Sequence, residues 1–227
     1  MNIKSLIKRT PFYSYMYLPY SQKKRNKIKG IRHELFVKEG LNALRLFSES
    51  MNEAGIKYWM EFGTLLGAYR DNDFVPNELD LDMGVFLEDA DKTYQVLVKA
   101  GFRLVREFHV VGECGLEQTY EYRGTTLDVM YFFKKNNQFY CTGAAFDLRD
   151  INGKPFFAQT TSHVFKPFDV SDFTFKEIEC KVPANIEEHL IEIFGEGFRV
   201  YDPNFRGDLN KTYYSFEEKK SIGFVIY

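Results

Sequence analysis

Asp80, Asp82 and Asp128 are the residues of this chain whose type and spacing point to chemistry. In Leu79-Asp80-Leu81-Asp82-Met83 the acids alternate with apolar residues, the pattern of a strand whose successive side chains face opposite ways. Leu79, Leu81, Met83 and Val85 then pack on one face, while Asp80 and Asp82 project from the other, about 7 Å apart. Carboxylates so placed repel unless a cation lies between them. A hard divalent ion, Mg²⁺ or Mn²⁺, is the usual cation, and it commonly brings phosphates with it. Thr126-Leu127-Asp128-Val129 repeats the alternation, with Thr126 and Asp128 on one face. If this strand lies beside the first, three carboxylates converge. Two would hold the metal and the third would complete the site or accept a proton from an attacking hydroxyl. The chemistry indicated is phosphoryl or nucleotidyl transfer.

Gly63-Thr64 falls between an expected strand, Ile56 to Met60, and an expected short helix, Leu65 to Tyr69. Backbone N–H groups at such a helix start can receive a phosphate. Arg70, at the end of that helix, can pair with a phosphate bidentately, although an isolated Arg is more often a surface cation. Glu61 and Glu78 are further acids near the site, each expected to be exposed.

The elements that must position these residues follow from periodicity. Leu35, Leu41, Leu44, Phe47 and Met51 predict a helix over residues 33–54, stopped by Gly55. The acidic strand runs over 79–86. A helix is expected over 88–100, followed by strands at 102–108, 117–122 and 125–133. Lys134-Lys135-Asn136-Asn137 turns into a strand over 138–145, completing a hairpin. Residues 147–171, with Gly153, Pro155 and Pro167, read as irregular. A strand over 173–182, a helix over 185–194 ended by Gly195, and a last strand over 222–227 close the chain. The order predicts an α+β fold, a mixed sheet flanked by helices.

The length of 227 residues suits one domain with an appendage. Residues 1–33 hold nine Lys or Arg and no acid, against a net charge of −2 for the whole chain, so the remainder is acidic. Phe12, Tyr13, Tyr15, Tyr17 and Tyr20 are interleaved with these cations. Basic and aromatic residues together suit an anionic membrane surface; nucleic acid and a plain solvated extension are the other readings, and nucleic acid is set aside as a partner. The division expected is a basic aromatic N-terminal arm over 1–32 and a catalytic domain over 33–227. No apolar run reaches the ~18 residues of a transmembrane helix, and Lys4, Lys8 and Arg9 interrupt any signal peptide. A cytoplasmic location follows, peripheral on the inner membrane face if the arm binds lipid. Cys114, Cys141 and Cys180 are too dispersed for a disulfide framework or zinc site and are expected to be reduced, buried thiols. The four histidines have no metal-ligand spacing, so a zinc enzyme or a Ser/His hydrolase finds no support.

The string GTLLGAYR…FVPNELDLDMG resembles the LicD family, whose motif runs GTLLGxxR…GFIPWDDDID and which includes fukutin and the fukutin-related protein. VPANIEEHLIEIFGEGFRVYDP, over 182–203, is similar to the family's closing pattern, with Phe194-Gly195 in place of Tyr-Gly. The resemblance spans about residues 40–205. It implies a nucleotidyltransferase-like fold similar to the polymerase-beta palm. It also implies transfer of a phospho-alcohol (choline, ribitol or glycerol phosphate) from a CDP-activated donor to a hydroxyl of a cell-surface glycan or lipid-linked glycan. By position, Gly63 and Thr64 match the Gly-Ser/Thr signature, Asp80 and Asp82 the metal-binding acids, Asp128 the third carboxylate and Arg70 the family Arg. Asn77-Glu78-Leu79-Asp80 stands where the family has Trp-Asp-Asp-Asp, which leaves the transferred group open. Two rival readings remain: transfer of NMP from an NTP to a small molecule or protein, and a non-catalytic, membrane-associated scaffold.

Overall fold

The computed structural model describes residues 18–110, 114–145, 156–202 and 219–225. It opens with a 37-residue helix, α1 (Leu18–Ala54), whose buried face is Phe36, Ala43, Leu44, Phe47 and Met51. The expected start at residue 33 is therefore too late. Lys and Arg are good helix formers, and Gly30 alone costs about 1 kcal/mol without breaking a helix, so the basic segment from Leu18 continues into the packed one. Residues 23–30 are exposed. The remainder of the arm, residues 1–17, lies outside the described residues, as do the arm's five aromatics save Tyr20, whose backbone alone is described.

Strand β1 (Tyr58–Met60) leads into α2 (Phe62–Arg70), β2 (Asp80–Phe86), a 3-10 turn (Leu87–Asp89) and α3 (Ala90–Ala100). Gly101 ends α3 at φ 104°, a left-handed C-terminal position that favours glycine. Then come β3 (Arg103–Val110), β4 (Leu116–Tyr122), β5 (Thr125–Lys135) and β6 (Gln138–Ala145). Strand β7 (Phe156–Phe165) occupies part of the stretch expected to be irregular: Gly153 and Pro155 precede it and Pro167 follows it, so the breakers bound a strand instead of excluding one. The expected strand over 173–182 is a hairpin, β8 (Val170–Phe175) and β9 (Ile178–Pro183), turned by Lys176 and Glu177 at φ 47° and 64°. Neither residue is a usual choice for a left-handed turn, so the sequence carries no turn signal there. Helix α4 (Ile186–Phe194), a 3-10 turn (Glu196–Arg199) and β10 (Lys219–Val225) complete the described chain.

Eight strands form one sheet in the order β1-β2-β5-β4-β3-β10-β7-β6, with β6 also pairing with β5, so the sheet curls back on itself. Among the described residues only β2 and β5 pair in parallel. Helices lie beside this sheet, and the fold is α+β as expected. Leu81, Met83 and Val85 of β2 and Leu127 and Val129 of β5 are buried in one core with α1, α2 and β9. A second cluster gathers around Trp59, Phe132, Phe139, Phe165 and Phe168, where the surplus of aromatics is spent on edge-to-face packing. Gly84 makes this possible: a Cβ there would lie 2.3 Å from the Trp59 ring.

Candidate active site

The parallel pairing of β2 with β5 sets the site. Its register places Asp80 opposite Thr126 and Asp82 opposite Asp128. Because the two strands share polarity and phase, the apolar residues of both enter the core and the acids of both emerge on the other face. The register thus brings Asp80, Asp82 and Asp128 to one face of the sheet.

Gly63 and Thr64 act directly on Asp82. The Gly63 N–H donates to Asp82 Oδ2 at 3.3 Å, and the Asp82 N–H donates to Thr64 Oγ1 at 2.8 Å. The start of α2 is thereby fastened to β2, and the Thr64 hydroxyl is wholly buried in that task. A Cβ at Gly63 would lie 2.7 Å from Glu78 Oε2, so glycine lets the α2 backbone come this close to the acids without displacing the Glu78 side chain. Phe62, just before it, is held at φ 40°, a conformation costly for a non-glycine residue and typical of functional turns.

Electrostatics reflect the crowding. Burial, and then repulsion by Asp80, Glu78 and Asp128, raise the Asp82 carboxyl well above its ordinary range, against the pull of the Gly63 N–H. Asp80 is raised by burial and by Asp128, with Arg32 opposing. Burial pushes Glu78 up to about 7, although its carboxylate accepts the Leu79 N–H at 3.0 Å. Asp128 accepts from the Thr119 hydroxyl and from Arg106 at 3.4 and 3.5 Å, while Arg106 also pairs with Glu117 at 3.1 Å.

Arg32 belongs to the site, which sequence reasoning missed. Its guanidinium donates to Asp80 Oδ2 at 2.7 Å and to Thr126 Oγ1 at 3.1 Å, and the neighbouring His33 Nδ1 lies 2.9 Å from the Glu78 carbonyl. Arg32 stands 48 residues before Asp80, among cations that otherwise face solvent, so nothing local distinguished it. Arg106 and Thr119 were missed for the same reason; the phase of Thr126 with Asp128 was the single usable signal.

Arg70 lines a pocket of about 620 Å³ together with Gly63, Glu78, Asp82, Phe198 and Tyr201. Its guanidinium is already bound by Asp71 at 2.8 and 2.6 Å and by the Phe198 carbonyl at 3.2 Å, and it lies 5.7 Å from the centre of the Tyr201 ring. With its charge matched, Arg70 braces the Glu196–Arg199 turn against α2.

Glu61 departs from the expected exposure. It is wholly buried, accepting from Trp59 Nε1 at 2.6 Å and lying 2.7 Å from His189 Nε2 of α4, which is also wholly buried. Its carboxylate caps α2 through the Phe62 N–H. A buried acid persists where its oxygens are satisfied, and here it ties β1, α2 and α4 together. Glu78 is half-buried for a similar reason: it packs over Gly63. Of the cysteines, all free, Cys141 and Cys180 are buried as expected, but Cys114 is exposed.

Crowded carboxylate oxygens are the donor chemistry that Mg²⁺ or Mn²⁺ takes. Among the described residues no group of three or more His, Cys, Asp or Glu side chains is arranged to hold a metal ion; Arg32 and Arg106 are paired with Asp80 and Asp128. No helix among the described residues is long and apolar enough to cross a membrane.

Comparison with known proteins bears on this geometry. The family described as "LicD/FKTN/FKRP, nucleotidyltransferase domain" matches residues 55–185, which hold β1, α2 and all three aspartates. Human "Ribitol-5-phosphate transferase FKTN" is 25% identical over 167 residues, covering 73% of this chain and 34% of that protein. The chain thus spans about a third of the length of that curated relative. "Uncharacterized protein RP689" of Rickettsia prowazekii is 28% identical over 217 residues, covering 92% of this chain and 72% of that one. Among solved structures, lincosamide antibiotic adenylyltransferase LnuA aligns with a TM-score of 0.42 at 14% identity, over 73% of this chain and 89% of that one. With more than half of its length matched by the family, and with the motif residues clasped together at the head of β2, this chain belongs to the LicD/FKTN/FKRP nucleotidyltransferase-domain family.

Proposed function

We propose that the protein transfers a phospho-alcohol from a CDP-activated donor to a hydroxyl of a cell-surface glycan. The observation that carries this reading is the β2–β5 register, which sets Asp82 beside Asp128 next to a pocket roomy enough for a nucleotide. The relative FKTN is described as a ribitol-5-phosphate transferase, which supports a phospho-alditol as the transferred group.

Asp80, Asp82 and Asp128 would hold Mg²⁺ or Mn²⁺, which supplies positive charge to the donor diphosphate. Gly63 keeps the carboxylate of Asp82 directed, through its N–H, and leaves room beside Glu78. Asp128, oriented by Thr119 and Arg106, takes the proton of the acceptor hydroxyl. The acceptor oxygen bonds to the phosphorus distal to the nucleoside, the bond from that phosphorus to the bridging oxygen breaks, and CMP leaves. The transfer asks for positioning and charge stabilisation more than covalent help. The exposed basic stretch from Lys23 to Lys29 is proposed to lie on an anionic membrane surface, close to lipid-linked acceptors.

The test is a thermal-shift panel with Mg²⁺ of CDP, CMP, UDP, GDP, ADP and the four NTPs, on the wild type and Asp80→Asn. Selective stabilisation by CDP, lost in the variant, is the expected result and would direct the search to CDP-alcohols. Preference for an NTP would replace this reading with nucleotidyl transfer, released pyrophosphate being its mark. Silence toward every nucleotide would favour a non-catalytic scaffold.

A further inference from the structure

We propose that Arg32 is a resident counter-cation of the acidic site: it holds Asp80 in the metal-free protein and must yield that carboxylate before a divalent cation can be held there. The inference rests on the metal-dependent reading above and concerns a residue outside the family-matched segment 55–185.

Four observations carry it. First, Arg32 reaches Asp80 Oδ2 at 2.7 Å, so one oxygen of a carboxylate proposed to hold metal is already paired with a cation. Second, Thr126 Oγ1 accepts from the same nitrogen at 3.1 Å, so the guanidinium rests in a defined seat on the β2–β5 face. Third, the Arg32 side chain is 37% exposed, which leaves it free to swing outward, whereas the other guanidinium at the site, on Arg106, is 17% exposed and shared between Glu117 and Asp128. Fourth, although Asp80, Asp82 and Asp128 share one face of the β2–β5 pair, no group of three or more acid, His or Cys side chains among the described residues is arranged to hold a metal ion. A cation already paired with Asp80 accounts for this arrangement. A divalent ion arriving at Asp80 meets the like charge of Arg32 in the same seat, so the affinity of the site for metal is lowered by the cost of releasing Arg32.

The experiment measures Mn²⁺ uptake by the full chain without nucleotide, using the electron paramagnetic resonance signal of free Mn²⁺. It compares the wild type with Arg32→Gln, which keeps a hydrogen-bond donor for Thr126 but removes the charge, and with Arg32→Lys, which keeps the charge. Circular dichroism verifies that each variant is folded. Arg32→Gln is expected to bind Mn²⁺ roughly tenfold more tightly than the wild type, with Arg32→Lys close to the wild type. A purely structural role for Arg32 would predict weaker or equal binding in the Gln variant. That result, with Mn²⁺ still bound by the wild type, overturns the proposal and leaves the metal reading standing. If neither wild type nor Arg32→Gln takes up Mn²⁺, the metal reading fails and the proposal fails with it. Should Arg32→Gln not fold, Arg32→Met, a neutral side chain of similar reach, is read by the same criterion.

Discussion

Asp82 and Asp128 face each other as register partners across the one parallel strand pair described for the sheet, so the charge of Asp128 is felt at Asp82. Replacing Asp82 by Asn should lower turnover by about 10²-fold or more, because the replacement loses a charge at the metal and phosphate position. The same change should raise Tm at neutral pH. The folded-state carboxyl is held above its unfolded range, so above that range its ionised form weakens the fold, and Asn relieves it. An active Asp82→Asn enzyme, or one with a lower Tm, would contradict the placement.

Gly63→Ala should separate activity from stability. The added methyl meets Glu78 Oε2 at 2.7 Å, the far end of a side chain that can move aside. Thermal unfolding should change little, while kcat drops as Glu78 is pushed into the pocket and the Gly63 N–H turns from Asp82. A loss of Tm equal to that of a core variant would show instead that the α2 start cannot adjust.

The Glu61 network predicts a large stability effect from one residue. Glu61→Ala leaves Trp59 Nε1 and His189 Nε2 buried without this partner, at a cost of about 2–4 kcal/mol. Trp59 is the sole tryptophan of the chain, so the urea midpoint and the indole emission report on the same event. Unchanged emission would mean that the indole never depended on this carboxylate.

His163 sets part of the acid limb of stability. Burial holds it down at about 4, against an ordinary value of 6.5. The unfolded chain therefore takes up a proton between those values and the folded chain does not. Stability is fully present above about 6.5 and is lost as pH falls toward 4, by up to about 3 kcal/mol from this residue. Denaturation curves for the wild type and His163→Gln, taken across this window, should converge at low pH. Parallel curves would remove His163 from the account.

Neutralising Lys23, Lys24, Arg25, Lys27 and Lys29 to Gln should abolish sedimentation with anionic liposomes and leave turnover of a soluble acceptor intact. Equal sedimentation of the variant would place membrane affinity elsewhere, or nowhere.

Much of the site was legible because strand alternation is local: Asp80, Asp82, Thr126 and Asp128 declare their face through their neighbours, and one parallel pairing then brings them together. Glu61 was misjudged because an isolated acid before a Gly-Thr turn looks solvent-facing, and only the fold brings His189 of α4 to it. β7 was hidden by the breakers at its borders, and the β8–β9 turn by Lys176 and Glu177, which adopt a left-handed backbone without glycine. Arg32 was hidden because its role depends on where an unbroken helix happens to pass.

That helix has a mechanical consequence. From Leu18 to Arg32, α1 runs without a break, a stiff rod of roughly 20 Å at 1.5 Å per residue. A flexible tether would let the domain sample any height above a surface that held its cations. A rod instead fixes the reach and the tilt at which Asp80 is presented, and under the proposed transfer it would confine the acceptor hydroxyls within range to a thin shell above a surface that held those cations.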